Sequence, residues 1–462
     1  MTITERDMLR LYGDAVMAGN AALFVGAGLS QAAGHPGWPQ LLEGPRSRAA
    51  IPKAVEDLPL AAQYFVQETP GGREALESHI LSTLSGVEVR ATEGHRLLAR
   101  LPVDDIWTTN YDCLIEEAIP DATVVADEAD LSDRQMAGHR RVMKMHGSLS
   151  RELQPGWLSA PVITRRDYEE YEALHPRMWS LLQATFLTRS FLFLGFSFTD
   201  PNVEVLLRLS RALRSIGTPE HFTVLRRPSD PENARLHDLR VRDLEDSGIG
   251  VCEVLDFDEL TPMINRLVRR TRARRLFLSG SDSGQADYLE LCRTLGYELA
   301  HEPVSLVSLA GTTALEISFA FGGSLIAEER YDPDRVRFYF RPRPQQPTPQ
   351  LGERIGTAVY TALPKEELRS AVMAESRALL VVGGGETTRD EVFTAIEQGM
   401  PIVPVARSGG TALDVWTSTT PETLGFADGG SRDWTLLNHH NVHIATAAAV
   451  RLASRAMYLG DR

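Results

Sequence analysis

Residues 21–30, with the sequence AALFVGAGLS, constrain the fold of this chain more than any other stretch. An uninterrupted apolar run of this length is typical of a strand that is buried on both faces of a parallel sheet. Gly26, Ala27 and Gly28 follow at once, and glycines allow both a tight turn and a close approach of the backbone to a ligand. The pattern predicts the first strand-to-helix turn of a doubly wound sheet, where backbone N–H groups bind phosphate. A turn with a purely structural role is the alternative.

Length and composition indicate a globular protein of two domains. The chain has 462 residues, of which 43% are hydrophobic and 24% are charged. This balance is typical of soluble proteins that bury large cores. The formal charge of −14 argues against a general nucleic-acid-binding protein, because affinity for duplex phosphate comes mainly from Lys and Arg side chains. A local basic pocket is still compatible with this charge.

Cysteine usage and hydropathy favour a cytoplasmic protein. The three cysteines, Cys113, Cys252 and Cys292, are odd in number and far apart. They build neither a disulfide framework nor a Cys-x-x-Cys zinc pair, so we expect a reducing compartment and no metal. We find no signal peptide at Met1 and no apolar run of membrane-spanning length, and we therefore expect no membrane association.

Three later segments of the first half combine a predicted strand with polar or glycine residues at its end. They are residues 105–109 before Asn110 and Asp112, residues 142–145 before His146, and residues 190–194 before Gly195 and Ser197. Ligands of open parallel sheets bind outside the carboxyl ends of the strands. We therefore expect these side chains to belong to one site.

Most of the other elements of the first half are predicted to be helices. Residues 34–39 are too rich in Pro and Gly for a helix, and residues 222–225 and 250–255 indicate closing strands. The predicted helices cover residues 2–19, most of 54–100, 166–188, a segment that begins at Asp200-Pro201, and 258–272.

A second set of strands, glycine loops and helices begins near Arg275. Its predicted strands are 275–280, 304–309, 336–340, 378–382 and 402–405. This alternation predicts a second Rossmann-like domain with a parallel sheet, so that the domains are 1–272 and 273–462. The arginines of residues 269–275 predict a solvated linker, and an interdomain salt-bridge seam is the alternative.

The order of four motifs in the first half resembles that of the sirtuin family. They are GAGLS (26–30), WTTNYD (107–112), KMHGS (144–148) and FLFLGFSFTD (191–200). The likeness covers roughly the first 260 residues and is nearer to the sirtuin-like domains of bacterial anti-phage proteins than to protein deacetylases. Deacetylases carry a four-cysteine zinc site, which is absent, and a glutamine where this chain has Thr109. These departures argue against acyl-lysine recognition, so water is the simplest acceptor and the resemblance implies a hydrolase.

The resemblance implies that NAD is the substrate and that its nicotinamide–ribose bond is cleaved. It implies that Asn110 positions the ribose or the attacking water, and that His146 orients the ribose hydroxyls or acts as a base. For Asp112, a helix cap is the alternative to a contact on the nicotinamide side. The residues that the resemblance places against NAD are Gly26, Ala27, Gly28, Ser30, Asp112, Gly195 and Ser197.

Residues 383–391, GGGETTRDE, resemble a motif of the Lonely guy phosphoribohydrolases and of the wider SLOG superfamily of nucleotide-sensing domains. Arg341 is the candidate for the arginine that grips the ligand in that family, and Arg343 is the alternative. An arginine suits phosphate because its planar fork donates two parallel hydrogen bonds. The residues expected to bind the nucleotide are Ser279, Gly280, Arg341, Gly384, Gly385, Thr388 and Glu391.

A sirtuin-like domain followed by a SLOG-like domain resembles the effector family of the Thoeris anti-phage system. The resemblance implies that the first domain hydrolyses NAD and that the second binds a cyclic ADP-ribose isomer made by a partner TIR-domain protein. It also implies a homo-oligomer, a tetramer or a larger assembly. The alternatives are a protein deacylase or ADP-ribosyltransferase, a catalytically silent NAD sensor and, for the second domain, a phosphoribohydrolase that uses Glu391.

Overall fold

The computed structural model of this chain describes residues 2–132, 140–150, 156–213, 220–341, 355–426 and 430–457. The chain divides into two compact units, Met1–Thr271 and Arg272–Arg462. Each unit contains one large sheet whose strand pairs are all parallel, with helices in the connections. The prediction of an α/β fold with two Rossmann-like sheets is confirmed.

The main sheet of the first unit has seven strands among the described residues. Their spatial order is β3-β4-β2-β1-β7-β8-β9, and β5 and β6 form a separate antiparallel pair. The strands are β1 (Ala21–Val25), β2 (Asp105–Thr108), β3 (Thr123–Val125), β4 (Arg141–Lys144), β5 (Ser148–Leu149), β6 (Trp157–Ser159), β7 (Ser190–Leu194), β8 (His221–Arg226) and β9 (Ile249–Val254).

The helices of the first unit cover both faces of this sheet and form an insert between β1 and β2. They are α1 (Glu5–Met17), α2 (Ala27–Gln31), α3 (Trp38–Arg48), α4 (Leu58–Glu68), α5 (Gly72–Ser85), α6 (Glu93–Ala99), α7 (Leu114–Ala118), α8 (Arg165–Glu169), α9 (Tyr171–Leu174), α10 (Pro176–Thr188), α11 (Pro201–Leu213), α12 (Pro231–Asp246) and α13 (Leu260–Thr271).

The residues of β1 alternate between two cores. Leu23 and Val25 pack with α1, α6 and α13 on one face, whereas Ala22 and Phe24 pack with α10 and α11 on the other. All five residues of β1 are buried, which explains why this strand is apolar throughout. A third core joins α3, α4 and α5 of the insert.

Two helix predictions are wrong in detail. Helix α3 begins at Trp38, inside the stretch expected to be non-helical, because Pro39 occupies one of the first helical positions, where a missing N–H costs nothing. The single helix expected over 166–188 is three helices, of which the last begins at Pro176. A proline disfavours the helical conformation of the residue before it, so the break at this position has a local cause.

Two of the arginines near the unit boundary are buried, so the prediction of a solvated linker is wrong for them. Arg270 and Arg272 are each only 7% exposed. Arg270 donates to Asp14 Oδ1 at 2.8 Å, and Arg272 donates to the carbonyl oxygen of Ser376 at 3.2 Å. Each of these two contacts lies within one unit and fixes the boundary residue to its own core.

The described residues of the second unit form a six-stranded sheet in the order β13-β12-β11-β10-β14-β15. Its strands are β10 (Arg275–Ser281), β11 (Ser305–Ser308), β12 (Val336–Phe340), β13 (Thr357–Tyr360), β14 (Ala378–Gly383) and β15 (Ile402–Val405). Its helices are α14 (Tyr288–Ala300), α15 (Thr312–Ala327), α16 (Lys365–Ala374), α17 (Glu386–Glu397), α18 (Gly410–Ser418), α19 (Ser431–Leu436) and α20 (Val442–Met457).

Candidate functional site

The carboxyl edge of the first sheet collects the ends of β1, β2, β4 and β7. Thr108 pairs with Val25 and with Lys144, and Val25 also pairs with Leu194, so the four strands end at the same level. Strands β2, β3 and β4 lie on one side of β1, and the later strands β7, β8 and β9 lie on the other. This change of direction at β1 creates the crevice in which open α/β sheets bind ligands.

Asn110 lies at the centre of a buried hydrogen-bond network at this edge. Its Nδ2 donates to the carbonyl oxygen of Gly26 at 3.1 Å and to Ser30 Oγ at 3.0 Å. Ser30 Oγ in turn donates to Asp112 Oδ2 at 2.7 Å. The Oδ1 atom of Asn110 is buried and has no hydrogen-bond partner among the described residues. The network therefore fixes the amide and leaves one acceptor for a ligand.

Asp112 has a structural role in the segment that follows β2. Its Oδ1 accepts a hydrogen bond from the backbone N–H of Leu114 at 3.1 Å, at the start of α7. Its other oxygen accepts the Ser30 hydroxyl. The carboxylate thus links the glycine turn to the first residue of α7, while Cys113 occupies the N-cap position without a side-chain cap.

The glycines of the turn are required by a close approach of two loops. The N–H of Gly28 donates to the carbonyl oxygen of Gly195 at 2.8 Å. A Cβ on Gly28 would lie 2.8 Å from Gly195 Cα, and a Cβ on Gly195, whose φ is +64°, would lie 2.5 Å from the backbone nitrogen of Leu29. The φ of Gly28 is not in the left-handed region. Glycine is therefore required at position 28 by the close packing against Gly195.

His146 is fully buried and lies between two residues at the start of α11, one just before the helix and one in its first turn. Its Nδ1 lies 3.6 Å from Asp200 Oδ2, and its Nε2 lies 3.4 Å from Asn202 Nδ2. Tyr168 contacts its ring edge-on, with 5.1 Å between the ring centroids. Burial lowers the pKa of His146, and the charge of Asp200 opposes this effect only in part. The imidazole is thus neutral near pH 7.

A cavity of about 380 Å³ adjoins these neighbours of His146. Tyr168, Tyr171 and Asn202 line it and also contact the histidine ring. Its volume is within the range of small-molecule sites. The histidine therefore lies behind one wall of a ligand-sized space.

The sequence analysis missed some residues near the site. Neither Asp200 nor Asn202 was named as a site residue, although Asp-Pro-Asn after a strand-end glycine could have marked them. The histidines His35 and His95 are buried, with Nδ1 of His35 and Nε2 of His95 unpartnered among the described residues. Ala27, at the first position of α2, is half-buried. Ser197 is exposed and bonds to Thr199 Oγ1 at 2.7 Å.

The second unit has its own polar cluster at the carboxyl edge of its sheet. Ser279 Oγ of β10 donates to Glu391 Oε2 of α17, and both side chains are buried. Burial raises the pKa of Glu391, and the Ser279 hydrogen bond opposes that effect. Gly280, with φ +152°, and Gly384, with φ +104°, have conformations that favour glycine. A Cβ on Gly280 would clash with the carbonyl oxygen of Val382, so no side chain fits there.

The other residues predicted to bind a nucleotide lie along the same edge. Gly385 precedes α17, and a Cβ there would meet no atom within 4 Å among the described residues. Thr388 is buried in the first turns of α17. Arg341 is exposed directly after β12, which is two strands and roughly 10 Å from β10. Arg343 lies outside the described residues.

The part of the chain that the structure describes contains no helix that is both long and apolar enough to span a bilayer. Within the same residues, no group of three or more His, Cys, Asp or Glu side chains is arranged to hold a metal ion.

A parallel sheet with Asn110 and His146 at one carboxyl edge defines a sirtuin-like unit, and the SIR2-like domain family matches residues 104–246. The NAD(+) hydrolase ThsA of Bacillus cereus (strain MSX-D12) is 30% identical over 88% of this chain and 88% of its own length. The NAD(+) hydrolase ThsA of Enterococcus faecium is 32% identical over 66% of this chain and 68% of its own. The chain belongs to the ThsA family, and the resemblance to Thoeris effectors is confirmed.

A more distant relative shares part of the chain. The defense-associated sirtuin 2 of Bacillus subtilis is 27% identical over 47% of this chain and 22% of its own length.

Proposed function

We propose that this chain is an NAD+ hydrolase of anti-phage defence, which converts NAD+ and water to nicotinamide and ADP-ribose. The observation that carries the proposal is the buried, unpartnered Oδ1 of Asn110 at the carboxyl edge of a sirtuin-like sheet. The ThsA relatives are named NAD(+) hydrolases, which supports the same reaction.

The reaction forms a bond between the oxygen of water and the anomeric carbon of the nicotinamide ribose. The bond from that carbon to the nicotinamide nitrogen breaks, and its electron pair neutralises the positive charge of the ring. Asn110 Oδ1 accepts a hydrogen bond from the attacking water or from a ribose hydroxyl. Positioning of this kind provides a large share of enzymatic rate acceleration.

His146 orients the ribose hydroxyls or takes the proton that the water loses. A histidine must be neutral before it can accept a proton, and the burial that lowers the pKa of His146 supports this state. Asp200, 3.6 Å from Nδ1, then stabilises the imidazolium that forms. General base catalysis contributes about 10²–10⁴ in rate.

The glycine turn and the loop after β7 hold the NAD molecule in this proposal. The residues assigned to this role are Gly26, Ala27, Gly28, Ser30, Asp112, Gly195 and Ser197. No metal takes part in the reaction as proposed.

The second unit binds a cyclic ADP-ribose isomer from a partner TIR-domain protein, and this binding activates the hydrolase. Arg341 holds a phosphate of the nucleotide and Glu391 its ribose hydroxyls, while the loop of Gly384 and Gly385 supplies backbone N–H groups at the start of α17. Ser279, Gly280 and Thr388 complete the site. We propose domains 1–272 and 273–462, and a homo-oligomer as the active form.

The test is to incubate the purified full chain with NAD+, with and without each cyclic ADP-ribose isomer, and to identify the products. Nicotinamide and ADP-ribose that form without any acceptor protein support hydrolysis. NAD loss that requires an acyl-lysine peptide or an acceptor protein instead indicates a deacylase or an ADP-ribosyltransferase.

A further inference from the structure

A buried ion pair lies next to the segment that carries Asn110. Lys144 is the last residue of β4, and Glu116 lies in α7. The Nζ atom of Lys144 is 2.8 Å from Glu116 Oε1, and the two side chains are 0% and 2% exposed. Removing two charges from water is costly, and well-packed apolar residues in their place are often at least as stable. Stability alone therefore does not account for this pair.

The ammonium group of Lys144 also binds two backbone carbonyl groups in the segment after β2. Its Nζ donates to the carbonyl oxygen of Tyr111 at 3.3 Å and to that of Asp112. The two carbonyl oxygens accept hydrogen bonds from the ammonium, and Glu116 is its ion-pair partner. Burial is the largest influence on the pKa of Lys144 and lowers it, but the charges of Glu116, Cys113 and Asp112 together with the contact to Glu116 outweigh burial, so the pKa lies above its ordinary value. Lys144 is thus a fixed cation.

The backbone that Lys144 holds belongs to the site described above. Tyr111 directly follows Asn110, and the side chain of Asp112 accepts the Ser30 hydroxyl that also contacts the Asn110 amide. His146 comes only two residues after Lys144 along the chain. One ammonium group therefore connects the end of β2, which carries Asn110, to the end of β4, which carries His146.

We propose that Lys144 and Glu116 form a positioning pair that fixes Asn110 relative to His146 and so sets the turnover rate of the enzyme. Neither side chain touches the substrate in this proposal. It rests on the proposed NAD hydrolysis. Because a misplacement of about 1 Å costs about 100-fold in rate, loss of the pair acts on kcat far more than on KM.

The test variant is Lys144→Met/Glu116→Leu, which removes both charges and leaves neither one uncompensated. We expect kcat for NAD cleavage by the full chain to fall about 100-fold, with KM changed by less than about fivefold. Lys144→Gln/Glu116→Gln also removes both charges but keeps a polar group on each side chain, and we expect a loss of about tenfold in kcat. This second variant decides the question if the first variant does not fold.

The matched control is the ion pair at the opposite edge of the same two strands. Arg141 and Asp105 are the first residues of β4 and β2, with 2.7 Å between Arg141 Nε and Asp105 Oδ1. We expect Arg141→Met/Asp105→Leu, which also removes the ion pair of Asp105 with Arg189, to lower the melting temperature while kcat stays within threefold of the parent. A role in stability alone would make this control and Lys144→Met/Glu116→Leu alike.

A folded Lys144→Met/Glu116→Leu protein with the kcat of the parent overturns the proposal, as does an equal loss of kcat in the control variant. A parent that consumes no NAD, with or without the cyclic ADP-ribose isomers, contradicts the proposed function instead. In that case the rate of amide hydrogen exchange in residues 109–116 tests the positioning pair without an activity measurement. Faster exchange in the Lys144 variant but not in the control supports the positioning pair, and unchanged exchange overturns it.

Discussion

The side-chain nitrogen of Asn110 lies 3.0 Å from the hydroxyl oxygen of Ser30, and that hydroxyl donates its own proton to Asp112 at 2.7 Å. These two bonds join helix α2 to the segment after strand β2. They also fix the Asn110 amide so that Oδ1, rather than Nδ2, is left for a ligand. The orientation of the amide is thus set before any substrate binds.

Ser30→Ala tests this relationship. The change removes a donor to buried Asp112 and an acceptor for buried Asn110, so we expect a loss of about 1–3 kcal/mol in the free energy of unfolding. We also expect NAD turnover to fall about tenfold, since Asn110 is then free to rotate. Ser180→Ala, on an exposed position of α10, is the control. Parent-like turnover in folded Ser30→Ala protein would show that the orientation of Asn110 does not depend on Ser30.

Glycines in the two units should respond differently to alanine. A Cβ on Gly28 would lie 2.8 Å from the backbone of Gly195, whereas a Cβ on Gly385 would meet no described atom within 4 Å. Overpacking costs about 1–3 kcal/mol, so we expect Gly28→Ala to lower the melting temperature by about 3–10 °C. Gly385→Ala should melt like the parent but bind the activating nucleotide more weakly. Differential scanning calorimetry of both variants checks this, and equal melting temperatures would contradict it.

His221 should make the first unit sensitive to acid. It is fully buried, its ring stacks on Phe186, and Nδ1 accepts the N–H of Phe191 at 3.2 Å. Burial lowers the pKa of His221 to about 3. An unfolded histidine titrates near pH ~6.5, so between about pH 6.5 and 3 the unfolded chain binds a proton that the folded chain does not. Stability is therefore lost as the pH falls through this window.

The expected contribution of His221 is a loss of about 2 kcal/mol in the free energy of unfolding between pH 7 and pH 5. His221→Asn offers an oxygen to the N–H of Phe191 but does not titrate, and it should remove most of this loss. Urea unfolding at the two pH values measures it, with His443→Asn at an exposed position as the control. A loss as large in His221→Asn as in the parent would assign the acid sensitivity to other groups.

Arg341 and Glu391 should govern the response to nucleotide without changing the first site. We expect Arg341→Ala and Glu391→Gln to abolish activation by the cyclic ADP-ribose isomer, because each removes a charge-assisted contact to the ligand. Arg337→Ala, on the same strand β12, is the matched control and should leave activation intact. Binding of the cyclic ADP-ribose isomer, measured by calorimetry, and NAD consumption are determined on the same preparations. Normal binding and activation in both variants would place the sensing site elsewhere.

Much of the framework could be predicted because its signals are local. The apolar run before Gly26 predicted β1, and polar residues at the ends of β2 and β4 predicted which edge carries the site. The Asp-Pro-Asn sequence could have marked Asp200 as a site residue, but its contact with His146 could not be derived in this way, because it joins two segments that are far apart in the chain. The same holds for the pairing of Lys144 with Glu116, since each residue alone resembles an ordinary surface charge.

The role of Gly28 illustrates the same limit. The sequence indicated that a side chain is unfavourable there, but the atoms that exclude it belong to Gly195, far along the chain. The break before Pro176 is different, since the proline itself was a local signal for it.

The most direct test of the central claim is product analysis of NAD+ incubated with the full chain and with its Asn110→Ala and His146→Ala variants. Each cyclic ADP-ribose isomer is included in turn, and circular dichroism verifies that the variants fold. The account predicts nicotinamide and ADP-ribose in equal amounts from the parent, and a loss of at least about 100-fold in both variants. Parent-like NAD cleavage by folded Asn110→Ala and His146→Ala proteins would contradict it.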